Sequence, residues 1–270
     1  MANLTHFFDL MFGRHHTKIV NVYRKDPKNI GDKYSTPALY FDFLKDVKKV
    51  NVLDRHIKEI VRDKVVVVGG GGLLYFDDYM KMIVSAGARA IIGWGIGHNT
   101  HNSKTIELPD YLRSYNAIGI RDYGYGYEWV PCASCMHSAF DKTYSVKHDV
   151  IVYNHRSFPI AISSRFPTLP NSEKNFGKVI EFLGSGAVIL TNTYHGAYWG
   201  TLLKRKAIII NPFSSRFFGF KHKLPISDAQ GWQAAVNDAT IYPEALAECR
   251  DANLKFAEKV RDIITKYTTA

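Results

Sequence analysis

The 270-residue sequence has few cysteines and no long apolar run. Its three cysteines, Cys132, Cys135 and Cys249, cannot form a framework of paired disulfides, which favours a reducing compartment. No apolar stretch approaches the roughly 18 to 20 residues that a membrane-spanning helix needs. The N-terminal stretch has no basic region ahead of its short apolar segment, so we expect a cytoplasmic protein.

The sequence also lacks the common nucleotide-binding signatures. No G-K-[ST] follows the glycines at 69–72, and no G-x-G-x-x-G is present, which disfavours ATP and nicotinamide cofactors. His98 and His101 have no carboxylate or thiolate partner at metal-ligand spacing. Cys132 and Cys135 form a single C-x-x-C without the second pair that a structural zinc site needs, so buried thiols are the favoured interpretation. We therefore expect no cofactor and no metal.

The charge is basic but not concentrated. Lys and Arg number 35 against 25 Asp and Glu, a formal net charge of +10, and the basic residues are spread along the chain. This favours an acidic small substrate over nucleic acid, which is not an expected partner. Apolar residues at 4–12 followed by basic residues at 14–18 could lie on a membrane surface; packing on the domain is the alternative.

Short β-branched runs alternate with helical patterns, which predicts an α/β fold. We expect two Rossmann-like domains, 1–143 and 144–270, that face a cleft, the second with a long terminal helix. In the first, the patterns predict strands at 17–23, 65–68, 90–92 and 117–120 and a helix at 35–47. In the second, they predict strands at 149–153, 187–191 and 207–211, and helices at 173–183, 194–203 and 243–267.

Two loops of the first half suit a ligand site. Gly31 lets the backbone approach a ligand beside Asn29, and Asp32 can accept hydrogen bonds from sugar hydroxyls or act as a base; helix capping by Asp32 is the alternative. Gly70 and Gly71 follow a buried strand and would let backbone N–H groups contact a ligand. Close backbone packing is the other interpretation of these glycines.

The third strand of this half ends in the glycine-rich stretch 93–97, followed by His98 and Asn99. A histidine and an amide at the end of a strand suit proton transfer and contacts with sugar hydroxyls. We therefore expect His98 to be a catalytic candidate and Asn99 to contact an acceptor.

The strongest local pattern is Thr193-Tyr194-His195-Gly196, between a buried strand and a helix. His195 falls in the first helical turn, where free N–H groups and the helix dipole favour a bound anion. The helix terminus disfavours the imidazolium and a bound anion favours it, so we expect His195 to be neutral when empty and protonated when loaded. A structural hydrogen bond is the alternative role.

Basic residues follow two strands of the second half. Arg156 lies after the first of them, and Arg216 and Lys221 lie in the loop at 212–223. Such residues could clamp an anionic donor across the cleft, although a solvated basic loop would have the same composition.

Taken in order, these motifs resemble the polysaccharide pyruvyl transferase family. The resemblance spans roughly residues 17 to 216 and rests on Asn29-x-Gly31-Asp32, the glycines at 69–72 and 93–97, Arg121-Asp122 and Tyr194-His195-Gly196. It implies a fold like that of the GT-B glycosyltransferases. It also implies transfer of pyruvyl from phosphoenolpyruvate to sugar hydroxyls as a ketal, without a required metal.

On this resemblance, His195 protonates the enol carbon or stabilises the leaving phosphate, and Asp32 or His98 acts as the base. Family members commonly carry an Arg two residues before the motif histidine, where this chain has Thr193. We expect Arg156, Arg216 or Lys221 to supply the missing charge. The expected donor contacts are thus Thr193, Tyr194, Gly196, Arg156, Arg216 and Lys221, and the expected acceptor contacts are Asn29, Gly31, Gly70, Gly71 and Asn99.

The expected function is therefore that of a transferase in the assembly of surface polysaccharide, such as exopolysaccharide or capsule. Its partners would be phosphoenolpyruvate or another anionic donor, and a sugar or lipid-linked oligosaccharide acceptor, the first half holding the acceptor and the second the donor. A lipid-linked acceptor would suit peripheral contact with the inner face of the membrane. Two alternatives are a nucleotide-sugar glycosyltransferase on the same architecture and a non-catalytic glycan-binding protein.

Overall fold

The computed structural model describes residues 18–269, which contain two parallel β-sheets. The apolar residues at 4–12 and the basic residues at 14–16, for which a membrane-surface role is one prediction, lie outside the described range. Within that range no helix is long and apolar enough to cross a membrane.

The first sheet contains six parallel strands in the spatial order β2-β1-β3-β4-β5-β6. They are β1 (Ile19–Tyr23), β2 (Lys48–Asn51), β3 (Val65–Gly71), β4 (Ala90–Ile96), β5 (Ala117–Ile120) and β6 (Glu128–Trp129). Three helices connect them: α1 (Ile30–Tyr34), α2 (Ile57–Val61) and α3 (Asp77–Val84). β1, β3 and β4 are buried along their whole length, as expected for central strands of a parallel sheet covered on both faces.

The second sheet contains five parallel strands in the order β11-β10-β9-β7-β8. They are β7 (His148–Asn154), β8 (Thr168–Pro170), β9 (Gly186–Thr191), β10 (Lys206–Ile210) and β11 (Ile226–Ser227). The helices are α4 (Phe176–Gly184), α5 (Tyr194–Leu202), α6 (Trp232–Asp238) and α7 (Ala245–Thr268). Counted within each half, the second sheet has the strand order 2-1-3-4-5, one of the common doubly wound orders, and the first sheet has the same order with a sixth strand at its edge. The fold is thus α/β with two Rossmann-like sheets, and the likeness to GT-B enzymes stays a prediction.

The helix predicted at 35–47 is wrong. Two short 3₁₀ turns, Pro37–Leu39 and Asp42–Leu44, replace it. Phe41, between them, has extended backbone, and Leu39 of the expected apolar face is 48% exposed. Pro37 starts the first turn, and the buried side chains are held by turns rather than by a continuous helical face.

Two strands run further than predicted. β3 continues through Gly69 to Gly71, and β4 continues to Ile96, so glycines that were expected to end these strands lie inside them. Glycine is a poor strand former on propensity, but pairing between β3 and β4 extends through Gly71 and Ile96. The short strands β2, β6, β8 and β11 were not predicted, because two to four residues carry too little alternation to detect.

The last helix joins the two sheets. Ala245 and Cys249, near its start, pack in the core of the second sheet, whereas Phe256, Val260 and Ile264 pack against the first. The chain therefore returns to its first half at the end. The domain boundary between residues 143 and 144 stays a prediction. Helix α7 buries apolar side chains in the cores of both predicted domains.

Candidate functional site

A cavity of about 320 Å³ lies where loops from the two sheets meet. In each sheet the strand order changes direction between the first and third strands, β1 and β3 or β7 and β9. Ligands of open α/β sheets bind outside the carboxyl ends of the strands at this point. We call this the anion cavity; its lining includes Arg24, Asp26, Asn29, Gly31, Asp32, Gly72, Tyr75, Asn99, His101, Arg121, Arg156, Thr193, Tyr194, His195 and Arg216.

Two of the four arginines that line the cavity have buried donors without partners among the described residues. Arg121 follows β5 and Arg216 lies in the 3₁₀ turn Ser215–Phe217 after β10. The Nε and one terminal nitrogen of each guanidinium are buried and have no hydrogen-bond partner among the described residues. Burial and the nearby Arg121 lower the pKa of Arg216 to about 10. Buried charged donors without partners are costly, so this pair fits a bound anion.

Arg121 is also held by stacking. Its guanidinium carbon lies 3.8 Å from the centre of the Tyr194 ring, and Gly97 gives it room, since a Cβ there would be 2.2 Å from Arg121 Nε. Such cation–π contacts fix the plane of a guanidinium without using its N–H groups. Those groups are left for a ligand.

The carboxyl group of Asp32, which lines the cavity, has a pKa shifted toward neutral pH. Burial and the nearby Asp26 raise its pKa to about 6, although Arg216 is among the cations that act in the opposite direction. Asn29 Nδ2 donates to Asp32 Oδ2 at 3.0 Å, which fixes the carboxylate. A carboxyl with a pKa near 6 can act as a base at neutral pH and still hold a proton in slightly acid solution.

The surroundings of His195 favour its neutral form. Burial and the positive charges of Arg121 and Arg216 hold the pKa of His195 well below its usual value. The direction agrees with the prediction for the empty site, but the main cause is burial rather than the helix terminus. Its Nε2 lies 3.5 Å from Cys132 Sγ. Its Nδ1 lies against Gly31, where an added Cβ would be 2.0 Å away, so this position requires glycine.

The residues around His195 are partly structural. Thr193 Oγ1 accepts a hydrogen bond from Gly196 N at 2.9 Å and so caps α5. A Cβ at Gly196 would lie 2.4 Å from Thr191 Oγ1. Thr193 and Tyr194 line the anion cavity, whereas Gly196 does not and serves close packing instead.

The acceptor residues predicted from glycine motifs are only partly in the cavity. Asn29, Gly31 and Asn99 line it, and Asn99 Oδ1 is buried without a partner among the described residues. Gly70 and Gly71 do not line it. Both have positive φ, and a Cβ at Gly70 would meet the carbonyl oxygen of Ser35 at 1.9 Å. The alternative interpretation, close backbone packing, therefore applies to Gly70, whereas Gly71 is favoured by its positive φ.

His98, predicted as a base, is not in the cavity lining. Its Nδ1 lies 2.7 Å from Ser215 Oγ and its Nε2 lies 3.2 Å from Thr100 Oγ1. Both ring nitrogens are thus engaged at a junction between the two halves. His98 thus bridges the two halves, and its role as a base stays a prediction.

Lys221, predicted as a donor contact, is also outside the cavity lining. Its Nζ lies 2.8 Å from Glu248 Oε2 and 4.5 Å from the centre of the Trp129 ring. Arg156 does line the cavity, but its guanidinium donates to Lys28 O and Asp26 Oδ2. Of the three predicted substitutes for the family's arginine, Arg156 and Arg216 line the cavity, and Arg216 is the one with buried donors that lack a partner among the described residues.

The sequence reasoning missed several lining residues. Arg121 was part of a quoted motif, but nothing in its spacing indicated a contact with a ligand. Tyr75 and His101 stack with ring centres 5.2 Å apart and form an aromatic wall of the cavity. They come from loops after β3 and β4, and no sequence pattern connects them.

The cysteines and histidines do not assemble a metal site. Within residues 18–269, no group of three or more His, Cys, Asp and Glu side chains is placed to hold a metal ion. Cys132, Cys135 and Cys249 are buried free thiols.

No family model matches the chain, and no curated protein sequence matches it. Among solved structures, it is similar to a functionally uncharacterised protein from Klebsiella pneumoniae subsp. pneumoniae, with 16% sequence identity and a TM-score of 0.44. The match covers 78% of this chain and 90% of that one. A similarity of this size leaves the function to be argued from the anion cavity.

Proposed function

We propose that this protein is a transferase of surface-polysaccharide assembly that moves the pyruvyl group of phosphoenolpyruvate onto two sugar hydroxyls as a ketal. One observation carries the proposal: Arg121 and Arg216, whose guanidinium groups have buried donors without partners among the described residues, line the same cavity as Asp32 and His195. The ordered motifs that resemble the polysaccharide pyruvyl transferases supply the reaction class.

Phosphoenolpyruvate matches the charge of the cavity because it carries a carboxylate and a phosphate on one carbon. Each group can accept two N–H bonds from a guanidinium. Arg121 and Arg216 would replace the family's arginine, at whose position this chain has Thr193. The cavity, about 320 Å³, is at the lower end of the ~300–1,000 Å³ typical of ligand pockets, which suits a small donor better than a nucleotide sugar.

The proposed reaction conserves protons. A proton adds to the CH₂ carbon of the enol, with the double-bond electrons forming the new C–H bond, and an acceptor oxygen bonds to C2. The bond between C2 and the phosphate oxygen then breaks with its electrons leaving on phosphate, and a second hydroxyl completes the ketal. The two hydroxyl protons end on the new methyl group and on the released phosphate.

In this proposal Asp32 accepts the hydroxyl proton and His195 delivers the proton to the enol carbon. The bound donor offsets the positive field of Arg121 and Arg216, which raises the pKa of His195 and lets it become protonated. The aromatic wall of Tyr75 and His101 offers a flat face for the acceptor's sugar ring.

Calorimetric titration with phosphoenolpyruvate tests the donor assignment. Arg121→Lys and Arg216→Lys keep the charge but lose the paired N–H donors, so each should weaken binding by about tenfold or more. Lys221→Gln, outside the cavity, is the matched control and should bind like the wild type. Thermal melting of each variant verifies that it is folded.

Other outcomes would favour the alternatives. Saturable binding of UDP-glucose without phosphoenolpyruvate binding would mean a nucleotide-sugar glycosyltransferase. Binding of glycan without consumption of either donor would mean a non-catalytic glycan-binding protein. Equal phosphoenolpyruvate affinity in the wild type and both arginine variants would contradict the assigned clamp.

A further inference from the structure

A second cavity, of about 590 Å³, lies beside the anion cavity, and Asp26 lines both. Its lining includes three apolar side chains, Tyr23, Pro27 and Ile30. Four lysines also line it, and all four are exposed: Lys25, Lys28, Lys33 and Lys174. We call this cavity the lysine groove.

The acidic residues of the groove are occupied by other groups. Asp26 Oδ2 lies 3.3 Å from a terminal nitrogen of Arg156 and 3.8 Å from one of Arg24, and Asp26 Oδ1 accepts from Lys28 N. Although partial burial acts in the opposite direction, the Lys28 N–H and Arg156 hold the pKa of Asp26 below its usual value. The charge of Asp26 is therefore balanced by arginines.

Glu173, the other acid of the groove, is occupied as well. Its Oε2 lies 3.0 Å from Lys178 Nζ, and its Oε1 accepts from the backbone N–H groups of Lys174 and Asn175. These contacts use both carboxylate oxygens of Glu173.

The groove lysines are left with a surplus of positive charge. Across residues 18–269, no ion pair includes the ammonium of Lys25, Lys28, Lys33 or Lys174. Lys33 contacts the ring of Tyr34, with its Nζ 5.3 Å from the ring centre. Surplus charge beside a concave apolar surface attracts an anionic ligand that also has apolar faces.

The four lysines come from three separate segments of the chain. Lys25 and Lys28 lie on the loop after β1, Lys33 lies on α1, and Lys174 precedes α4. A single phosphate is best held by donors that meet at one point, whereas this arrangement suits several separate charges. Sugar rings with carboxylates combine apolar faces with charges at regular intervals.

We propose that the lysine groove binds an acidic saccharide portion of the acceptor, while a neighbouring sugar hydroxyl enters the anion cavity beside Asp32. The shared wall at Asp26 makes the two cavities adjacent, so one oligosaccharide can occupy both. The identity of this ligand as an acceptor rests on the proposed transferase function.

Calorimetric titration of the full chain with trigalacturonate, at low and at physiological ionic strength, tests the proposal. The triple variant Lys25→Gln, Lys28→Gln, Lys174→Gln should bind trigalacturonate on the order of tenfold more weakly than the wild type, with a smaller salt dependence. The triple variant Lys58→Gln, Lys142→Gln, Lys147→Gln removes the same charge from exposed positions elsewhere and should bind like the wild type. Neutral maltotriose should bind the wild type more weakly than trigalacturonate does.

Three results would overturn the proposal: no trigalacturonate binding by the wild type, equal loss in both triple variants, or tighter binding of geranyl diphosphate than of trigalacturonate. The last result would assign the groove to a prenyl diphosphate instead. A separate phosphoenolpyruvate titration keeps the two proposals apart, because the groove variant retains Arg121 and Arg216 and should bind the donor normally. Lysine-dependent trigalacturonate binding without phosphoenolpyruvate binding would support the groove and contradict pyruvyl transfer.

Discussion

Asp32 combines two properties at the scale of a single residue: it lines the anion cavity and is protonated more readily than an ordinary carboxyl. Burial and Asp26 raise its pKa from 3.8 to about 6. The folded chain therefore binds this proton more tightly than the unfolded chain. Proton binding by Asp32 therefore adds to the free energy of unfolding. This contribution is complete below about pH 4, is lost as the pH rises through about 6, and is at most about 3 kcal/mol.

Asp32→Asn should separate activity from stability. We expect turnover to fall by about 10²- to 10⁴-fold, because the amide cannot accept the hydroxyl proton. The variant should also lose less stability than the wild type between pH 4 and 7, since it has no carboxyl to ionise. Urea denaturation at several pH values, together with the pH profile of kcat/KM, measures both effects.

The kcat/KM of the wild type should rise with pH through about 6, because Asp32 acts as a base only when it is ionised. Asp122→Asn is a useful control, since burial also raises the pKa of Asp122 to about 6 but Asp122 does not line the cavity. An unchanged activity profile in the Asp32 variant would assign the base to another group.

At the scale of elements, the start of α5 combines a helix cap at Thr193 with a cavity-lining residue, His195. Every residue of α5 is buried, so its first N–H groups need partners inside the protein. Thr193 supplies one by accepting from Gly196 N. The cap holds the start of the helix, and with it His195, at the edge of the anion cavity.

Thr193→Ala should lower the free energy of unfolding by about 0.5–2 kcal/mol because the cap is lost. Thr193→Ser keeps a hydroxyl in the same place and should recover most of that loss. Chemical denaturation measures the difference, and phosphoenolpyruvate titration shows whether the displaced helix start also weakens donor binding. Equal stability of the alanine and serine variants would contradict the capping role.

At the scale of the whole molecule, hydrogen bonds between loops and the packing of α7 are among the contacts that hold the halves together. Loops after β4 and β10 are joined by backbone hydrogen bonds from Asn102 N to Phe213 O and from Ser215 N to Thr100 O. On the first sheet, Phe256 of α7 packs fully buried in the core and meets the Trp94 ring at a centroid distance of 5.3 Å. The relative position of the sheets, and hence the cavity between them, depends on these contacts.

Phe256→Ala should destabilise the protein by about 3–5 kcal/mol, since it leaves a void between α7 and the first sheet. Leu254→Ala is the matched control on the same helix, because Leu254 is 51% exposed, and should change stability by less than about 0.5 kcal/mol. Differential scanning calorimetry measures both and should show one cooperative transition for the wild type. Two separate transitions would contradict the joining role of α7.

The α/β class, the two series of strands and the helices at α4, α5 and α7 could be predicted from the sequence, because buried β-branched runs and helical periodicity are local signals. The position of His195 and Asp32 in a cavity could also be predicted, since strand-end loops of such sheets carry ligand sites. Local signals failed at 35–47, where two short turns replace the predicted helix and leave Leu39 of its expected apolar face exposed.

The pairing of charges, in contrast, was decided by tertiary structure. Arg121 and Arg216 are 95 positions apart in the sequence, and their shared burial exists only because the two sheets face each other. The same packing engages Lys221 with Glu248 and His98 with Ser215, which removes both from the cavity. The sequence by itself determines which residues can carry a charge or a proton. The tertiary structure decides which of them share a cavity and how their pKa values shift, because electrostatic interactions depend on burial and on neighbours that are remote in the chain.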